Sequence, residues 1–149
     1  MKGINFKDIV QKIEVLKNCY QNGLQALGNH SVSIQVENTR LCEGSIDLDN
    51  CLKEIYPSEN RWDYVVGYEN KSYFIEVHPA DTSDVKVIIK KAEWLKKLLD
   101  NEAKNLKAIS HQVFYWIATS GVKLKGNKYQ KQLAQSKIVI VKVLKLPVS

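Results

Sequence analysis

Two acidic residues and a histidine stand at a spacing that suits metal-dependent chemistry. Asp63 lies in Arg-Trp-Asp-Tyr, and Glu76 and His78 lie in Phe-Ile-Glu-Val-His-Pro-Ala, with twelve residues between the two acids. Carboxylate oxygens are the hard ligands that Mg²⁺ prefers, and Mg²⁺ leaves part of its shell to water and phosphate. The three residues are therefore our candidate catalytic residues. Asp63 and Glu76 are the candidate ligands of Mg²⁺ or Mn²⁺.

Two predicted strands, 61–68 and 72–78, must position these side chains. A tight turn between the strands would place Asp63 opposite His78 and make Asp63 a diagonal neighbour of Glu76. Because side chains alternate along a strand, all three residues would share one face of the sheet. The other face would carry Trp62, Tyr64, Tyr73, Ile75 and Val77. Two acids on a dry sheet are costly, and a bound cation would offset that cost.

The remaining patterns predict a mixed α/β architecture in one domain, 1–149. Apolar residues at helical spacing predict a long first helix and a clear amphipathic helix at 85–107. Helix 85–107 should be a right-handed crossover that makes strand 112–119 parallel to strand 72–78. The expected elements are helix 5–27, strands 31–36 and 40–46, a short helix begun by Asp47 or Asp49, strands 61–68 and 72–78, helix 85–107, strand 112–119, helix 127–136 and strand 138–146.

Asp63, Glu76 and their strands resemble the PD-(D/E)XK, or restriction-endonuclease-like, nuclease superfamily. The short motifs also resemble those of small prokaryotic proteins of unknown activity. The superfamily resemblance implies a mixed β-sheet flanked by helices, in the order α-β-(β/α)-β-β-α-β-α-β. It also implies Mg²⁺-dependent hydrolysis of nucleic-acid phosphodiester bonds. Trp62 takes the place of a loosely kept proline, and His78 takes the place of the motif lysine.

The missing motif lysine leaves several roles open. His78 would act as a base or a metal ligand, or Lys86 or Lys90 on the following helix would reach back to the acids. Ordinary structural roles are open too. Asp63 would then pair with a nearby basic residue, Glu76 would face solvent, and His78 would stabilise the turn before Pro79.

Charge is distributed unevenly along the chain. Residues 1–85 hold eight basic and thirteen acidic residues, whereas residues 86–149 hold fourteen and three. Such a basic half indicates a polyanion partner, DNA or RNA being the common case. A solvated lysine-coated surface gives the same pattern. The candidate nucleic-acid-binding residues are Lys86, Lys90, Lys123, Lys125, Lys128 and Lys131.

Composition bounds the remaining possibilities. The sequence is 44% hydrophobic and 26% charged, which is typical of a globular protein. Its three cysteines form no Cys-x-x-Cys pair, so we expect reduced thiols and a cytoplasmic protein without a secretory leader or membrane segment.

Three functions remain as hypotheses from the sequence. The first is a Mg²⁺-dependent nuclease. The second is a non-catalytic nucleic-acid-binding relative of the same fold. The third is a protein-interaction or regulatory domain, in which the acids are structural. A domain of this size has little room for its own specificity module, so a homodimer or a partner protein is expected for the nuclease.

Overall fold

The computed structural model describes residues 5–124 and 126–148. A five-stranded mixed sheet lies at its centre, and helices flank it. The helices are α1 (Phe6–Gln11), α2 (Leu48–Leu52), α3 (Val85–Glu102), α4 (Lys104–Ala108) and α5 (Asn127–Gln135). The strands are β1 (Ile34–Val36), β2 (Cys42–Asp47), β3 (Tyr64–Tyr68), β4 (Lys71–Val77), β5 (Ala80–Asp81), β6 (Ser110–Ile117), β7 (Val122–Lys123), β8 (Ile138–Val141) and β9 (Leu144–Leu146). None of the described helices combines the length and apolar character that a membrane crossing requires.

The order of strands across the main sheet is β2-β3-β4-β6-β8. The first three strands are antiparallel neighbours, and β6 and β8 continue the sheet in parallel. The α3 crossover therefore makes β6 parallel to β4, which confirms the expectation for strands 72–78 and 112–119. Parallel neighbours need such a long connection, whereas a tight turn suffices between β3 and β4.

The β3–β4 register differs by two residues from the expected one. Glu69 and Asn70 both have positive φ, 50° and 62°, and together form a two-residue turn. Tyr64 then pairs with Ile75, and Asp63 comes level with Glu76 rather than with His78. A shift of two residues preserves which side chains share a face, so the expected facing of the two acids survives.

Two apolar clusters cover the two faces of the sheet. The first contains Phe74, Phe114 and the buried side of α3, and the second contains Tyr64, Tyr73, Ile75 and Val77. Trp62 packs in the first cluster, so its expected place beside Tyr64 is wrong. β3 begins only at Tyr64, and strand alternation does not extend back to Trp62. Trp62, Trp94 and Trp116 are all buried.

The predicted first helix is much shorter than expected. Helix α1 ends at Gln11, and the chain then forms successive turns whose backbone N–H groups donate three residues back, from Ile13 to Val10, Leu16 to Ile13 and Cys19 to Leu16. This spacing keeps Ile13 and Leu16 in the first cluster, as a helix would, whereas Leu24 and Leu27 pack in the second. Gly67 explains the close packing of α1, because an added Cβ there would lie 2.1 Å from Cγ of Phe6.

Short parallel ladders join distant parts of the chain. The predicted strand 138–146 is divided in two, because β8 joins the main sheet while β9 pairs with β1. The predicted helix 85–107 breaks at Ala103, between α3 and α4. β5, just after β4, pairs in parallel with β7, just after β6. The segments that leave two neighbouring strands are thus held together.

The structure contradicts the expectation of reduced cysteines. Cys19 and Cys51 form a disulfide across 32 residues of sequence, and Cys42 is free. The disulfide joins the turns after α1 to helix α2. Sequence spacing gave no indication of this pair, because its closeness depends on how those turns pack against α2.

Candidate functional site

The carboxyl groups of Asp63 and Glu76 each accept a hydrogen bond from a backbone N–H group of the other's strand. The backbone N–H of Asp63 donates to Oε1 of Glu76 at 3.1 Å, and the backbone N–H of Val77 donates to Oδ2 of Asp63 at 3.1 Å. Both bonds continue the β3–β4 pairing just beyond the last residue pair of its ladder. The two carboxyl groups are therefore fixed close together at one end of these strands.

Lys91 completes the site from helix α3. Its Nζ lies 2.5 Å from Oε2 of Glu76 and 3.7 Å from Oδ1 of Asp63. Glu76 is fully buried, whereas the side chains of Asp63 and Lys91 are 18% and 17% exposed. The three groups form a small charged cluster that reaches solvent through Asp63 and Lys91.

The protonation of this cluster follows from burial and from the two neighbouring acids. Burial, followed by the charge of Asp63, raises the pKa of Glu76 to about 8, although Lys91 opposes the shift. Burial also raises the pKa of Asp63, again against Lys91. Burial lowers the pKa of Lys91, but attraction to Glu76 and Asp63 outweighs it, so this pKa is raised. Lys91 is therefore charged, and near neutral pH the acid pair readily holds a proton on Glu76.

The start of helix α2 supports Asp63 from the other side. The backbone N–H of Leu48 donates to the carbonyl oxygen of Asp63 at 2.8 Å. Asp49 forms an ion pair with Arg61 at 2.9 Å, so Arg61 pairs with Asp49 and not with Asp63. Burial raises the pKa of Asp63 most, and the charges of Asp49 and Asp47 raise it further. The mouth of the site is thus acidic.

The structure brings His78 near this end of β4 but not into contact with the acid pair. Its Nδ1 is 2.8 Å from the carbonyl oxygen of Pro79 and 3.9 Å from Oδ1 of Asp84. A carbonyl oxygen only accepts hydrogen bonds, so Nδ1 is the donor in this contact. This geometry is that of a turn-stabilising histidine. A catalytic role for His78 stays a prediction.

The lysine that reaches the acids is Lys91, and the expectation that Lys86 or Lys90 does so is wrong. Both of those residues are exposed on α3. Lys91 lies three residues after Ile88 and four before Leu95, two buried residues of the stripe that faces the sheet. This position on the apolar stripe was the sequence signal that sets Lys91 apart from its neighbours.

The other candidate lysines lie on or near α5. Lys128 and Lys131 are exposed on this helix, and Lys123 is exposed on β7. Lys125 falls outside the described residues. Among the described residues, none of these lysines forms an ion pair, and neither do Lys86 and Lys90.

The oxygen atoms of the acid pair suit a hard divalent cation, and two carboxylates are enough when water and phosphate complete the shell. Within residues 5–124 and 126–148, no three or more His, Cys, Asp or Glu side chains gather in a way that would hold a metal. Asp63 and Glu76 would therefore be the protein's whole contribution, with Asp63 on the solvent side.

Comparison with known proteins gives no relative from which a role could be transferred. The sequence matches no family model, no curated protein and no solved structure.

Proposed function

We propose that this chain is a divalent-metal-dependent nuclease with a restriction-endonuclease-like core. The observation that carries the proposal is the position of Lys91, whose ammonium group contacts Glu76 and lies 3.7 Å from Asp63. Two acids and a lysine are the residue types that the resemblance implies. Here the lysine comes from helix α3 instead of from position 78 of the strand motif.

The topology supports the proposal independently of the site. A helix, three antiparallel strands, a crossover helix and a parallel strand follow in order as α1, β2, β3, β4, α3 and β6. The resemblance implies the same order. The acids stand where β3 begins and β4 ends, and α3 crosses the face on which they lie.

Each residue of the cluster has a physical role in this proposal. Asp63 and Glu76 would hold the cation through their oxygens, and such a cation activates water and offsets charge on a phosphodiester. Lys91 carries a fixed positive charge beside the acids. It would orient the attacking water or stabilise the charge that develops on the phosphate.

Without a cation, the cluster holds two acids against one lysine, and burial favours protonation of Glu76. A divalent cation supplies the positive charge that ionisation of both acids requires. The raised pKa of Glu76 is thus consistent with a site built for more positive charge than Lys91 alone provides.

The test is cleavage of labelled single-stranded and duplex DNA and RNA with Mg²⁺, with Mn²⁺ and with EDTA. The proposal expects cation-dependent cleavage that Asp63→Asn, Glu76→Gln and Lys91→Gln each reduce by about a hundredfold or more. Lys97→Gln is the matched control, because Lys97 is exposed on the same helix and outside the site. Circular dichroism checks that each variant is folded.

Other outcomes would point to the alternatives. Salt-dependent binding of nucleic acid without cleavage, unaffected by Asp63→Asn, would favour the non-catalytic relative. If neither cation nor nucleic acid raises the melting temperature and no cleavage occurs, the acids and Lys91 are structural, as in the interaction-domain hypothesis.

A further inference from the structure

A groove runs between helices α3 and α5. It consists of two adjoining hollows of about 520 and 370 Å³, and Lys86 lines both of them. Tyr129 lines the first hollow, and Ile89, Lys90 and Gln132 line the second. We call this feature the α3–α5 groove.

The charge of the α3–α5 groove favours an anionic ligand. Lys86 and Lys90 stand on one wall without an ion pair among the described residues. The other wall, α5, has the sequence Asn-Lys-Tyr-Gln-Lys-Gln-Leu-Ala-Gln and contains no acid. Two acids line the groove, and one of them, Asp81, caps the segment ahead of α3. Glu93 is the other acid, at the far end of the second hollow.

The groove also offers an aromatic ring beside positive charge. Tyr129 is half-buried, and Nζ of Lys128 lies 5.9 Å from the centre of its ring. Gln132 follows on the same side of the helix, three residues later, and its amide can both donate and accept hydrogen bonds. Positive charge that follows a backbone, together with a ring for stacking, is the combination that binds unpaired strands. The bases of a duplex are already stacked on each other and would not use the ring.

The groove and the acid pair are connected by residues 78–84 and by helix α3. Residues 78–84 leave the end of β4 immediately after Glu76 and Val77, and Asp81 and Ser83 of this segment line the groove. On α3, Lys90 lines the groove while its neighbour Lys91 contacts Glu76. A strand in the groove would therefore lie one helix face away from the acids.

We propose that the α3–α5 groove binds single-stranded nucleic acid and delivers it to the Asp63–Glu76–Lys91 site. Lys86, Lys90 and Lys128 contact the phosphates, and a base stacks on Tyr129. This inference rests on the proposed nuclease function, because it names the form of the substrate that the site receives.

The test is binding of the full chain, in EDTA, to fluorescein-labelled single-stranded DNA, single-stranded RNA and a duplex hairpin, followed by fluorescence anisotropy. At least one single strand should bind more tightly than the hairpin, and the two single-strand probes decide between DNA and RNA. Tyr129→Leu keeps an apolar side chain against the core and should weaken binding by roughly tenfold. Lys86→Gln and Lys128→Gln should each lower the logarithmic salt slope by about 0.7.

Exposed lysines elsewhere provide matched controls. Lys12 and Lys145 are exposed and make no ion pair among the described residues, so Lys12→Gln and Lys145→Gln should leave affinity unchanged. Glu93→Gln should tighten binding. Equal or tighter binding of the hairpin would overturn the inference, as would equal losses in the control lysine variants. If Tyr129→Leu fails to fold, the comparison of Lys86→Gln and Lys128→Gln with the two control lysine variants decides the question.

The two proposals fail separately in these experiments. Groove-dependent binding in EDTA without any cleavage in Mg²⁺ would refute the nuclease and leave the groove as a binding site. Cleavage that proceeds normally in the groove variants would refute the groove and leave the nuclease.

Discussion

Asp63 and Glu76 each accept a backbone hydrogen bond from the other's strand, so moving either carboxyl group out of the pair breaks a hydrogen bond that lies just beyond the β3–β4 ladder. These two bonds fix the side-chain conformations of the two acids against the backbone of β3 and β4. Lys91 comes from helix α3, and its long side chain contacts Glu76 without being held by strand hydrogen bonds.

Stability should depend on the pH through Glu76. The pKa of this acid is about 8 in the folded protein against an ordinary value of 4.5, so the folded state holds a proton that the unfolded chain releases. The resulting stabilisation is complete below pH 4.5 and is lost as the pH rises towards 8, by up to about 1.4 kcal/mol per pH unit. Glu76→Gln, which cannot ionise, should lack this component and exceed the wild type in stability above pH 8.

Chemical denaturation of the wild type and of Glu76→Gln across this pH range measures the difference directly. The comparison cancels the contribution of Asp47, whose pKa is also raised by burial. A difference that does not change with pH would contradict the raised pKa of Glu76.

Removal of Lys91 alone should lower the free energy of unfolding. Lys91→Met leaves Glu76 buried without its cation, and at a pH where Glu76 is ionised, breaking one side of this buried ion pair costs about 3–5 kcal/mol. The loss should be greatest above pH 8, where Glu76 is ionised in the wild type. Adding Glu76→Gln to Lys91→Met should recover most of the loss. Thermal unfolding of the two single variants and the double variant gives the coupling between the two residues.

The exposed Lys97 provides the control for that cycle. Lys97→Met should change the free energy of unfolding by no more than about 0.5 kcal/mol. If Lys91→Met costs as little as Lys97→Met, the contact between Lys91 and Glu76 does not stabilise the fold.

Binding of Mg²⁺ or Mn²⁺ should strengthen as the pH rises. The cation needs both acids ionised, so its binding releases the proton of Glu76 and its apparent affinity should rise by up to about tenfold per pH unit below pH 8. The rise in melting temperature produced by Mg²⁺ should therefore be larger at pH 8 than in mildly acidic buffer. Asp63→Asn should abolish it at both values. A shift that Asp63→Asn retains would locate the cation elsewhere.

The disulfide should contribute to stability through the loop it closes. Cys19 and Cys51 are 32 residues apart, and closing a loop of that length stabilises the folded state by about 3–4 kcal/mol in the chain-entropy model. A dithiol reductant should lower the midpoint of urea unfolding accordingly. Cys42→Ser should keep the whole effect, and Cys51→Ser should remove it. A reductant-insensitive midpoint would mean that the cysteines are thiols, as their spacing alone indicated.

Alternation and periodicity predicted the parts of the fold that depend on local pattern. They gave the two faces of β3 and β4, the amphipathic stripe of α3 and the parallel pairing of β6 with β4. They failed for the segment after Gln11, because turns with three-residue spacing bury Ile13 and Leu16 as a helix would. They also failed for the Cys19–Cys51 pair, which depends on long-range packing.

The site, too, was predicted only in part, because its acids follow from local pattern and its lysine comes from a different element. Asp63 and Glu76 were recognised from their spacing and strand positions. Lys86 and Lys90 were predicted to reach back to the acids from the following helix, and Lys91 was missed. The spacing of Lys91 from Ile88 and Leu95 was a usable signal, because it places Lys91 on the side of the helix that faces the sheet.

Because Lys91 comes from helix α3, the length of segment 78–84 before this helix matters for the site. An insertion or deletion in 78–84 that shifts the register of α3 by one residue would turn its side chains by about 100° about the helix axis and would move Ile88 and Leu95 off the core together with Lys91. Such a change would swing Lys91 out of the cluster while the acids stayed where strand pairing holds them. Among relatives of this chain, we therefore expect this segment to keep its length wherever the lysine is kept.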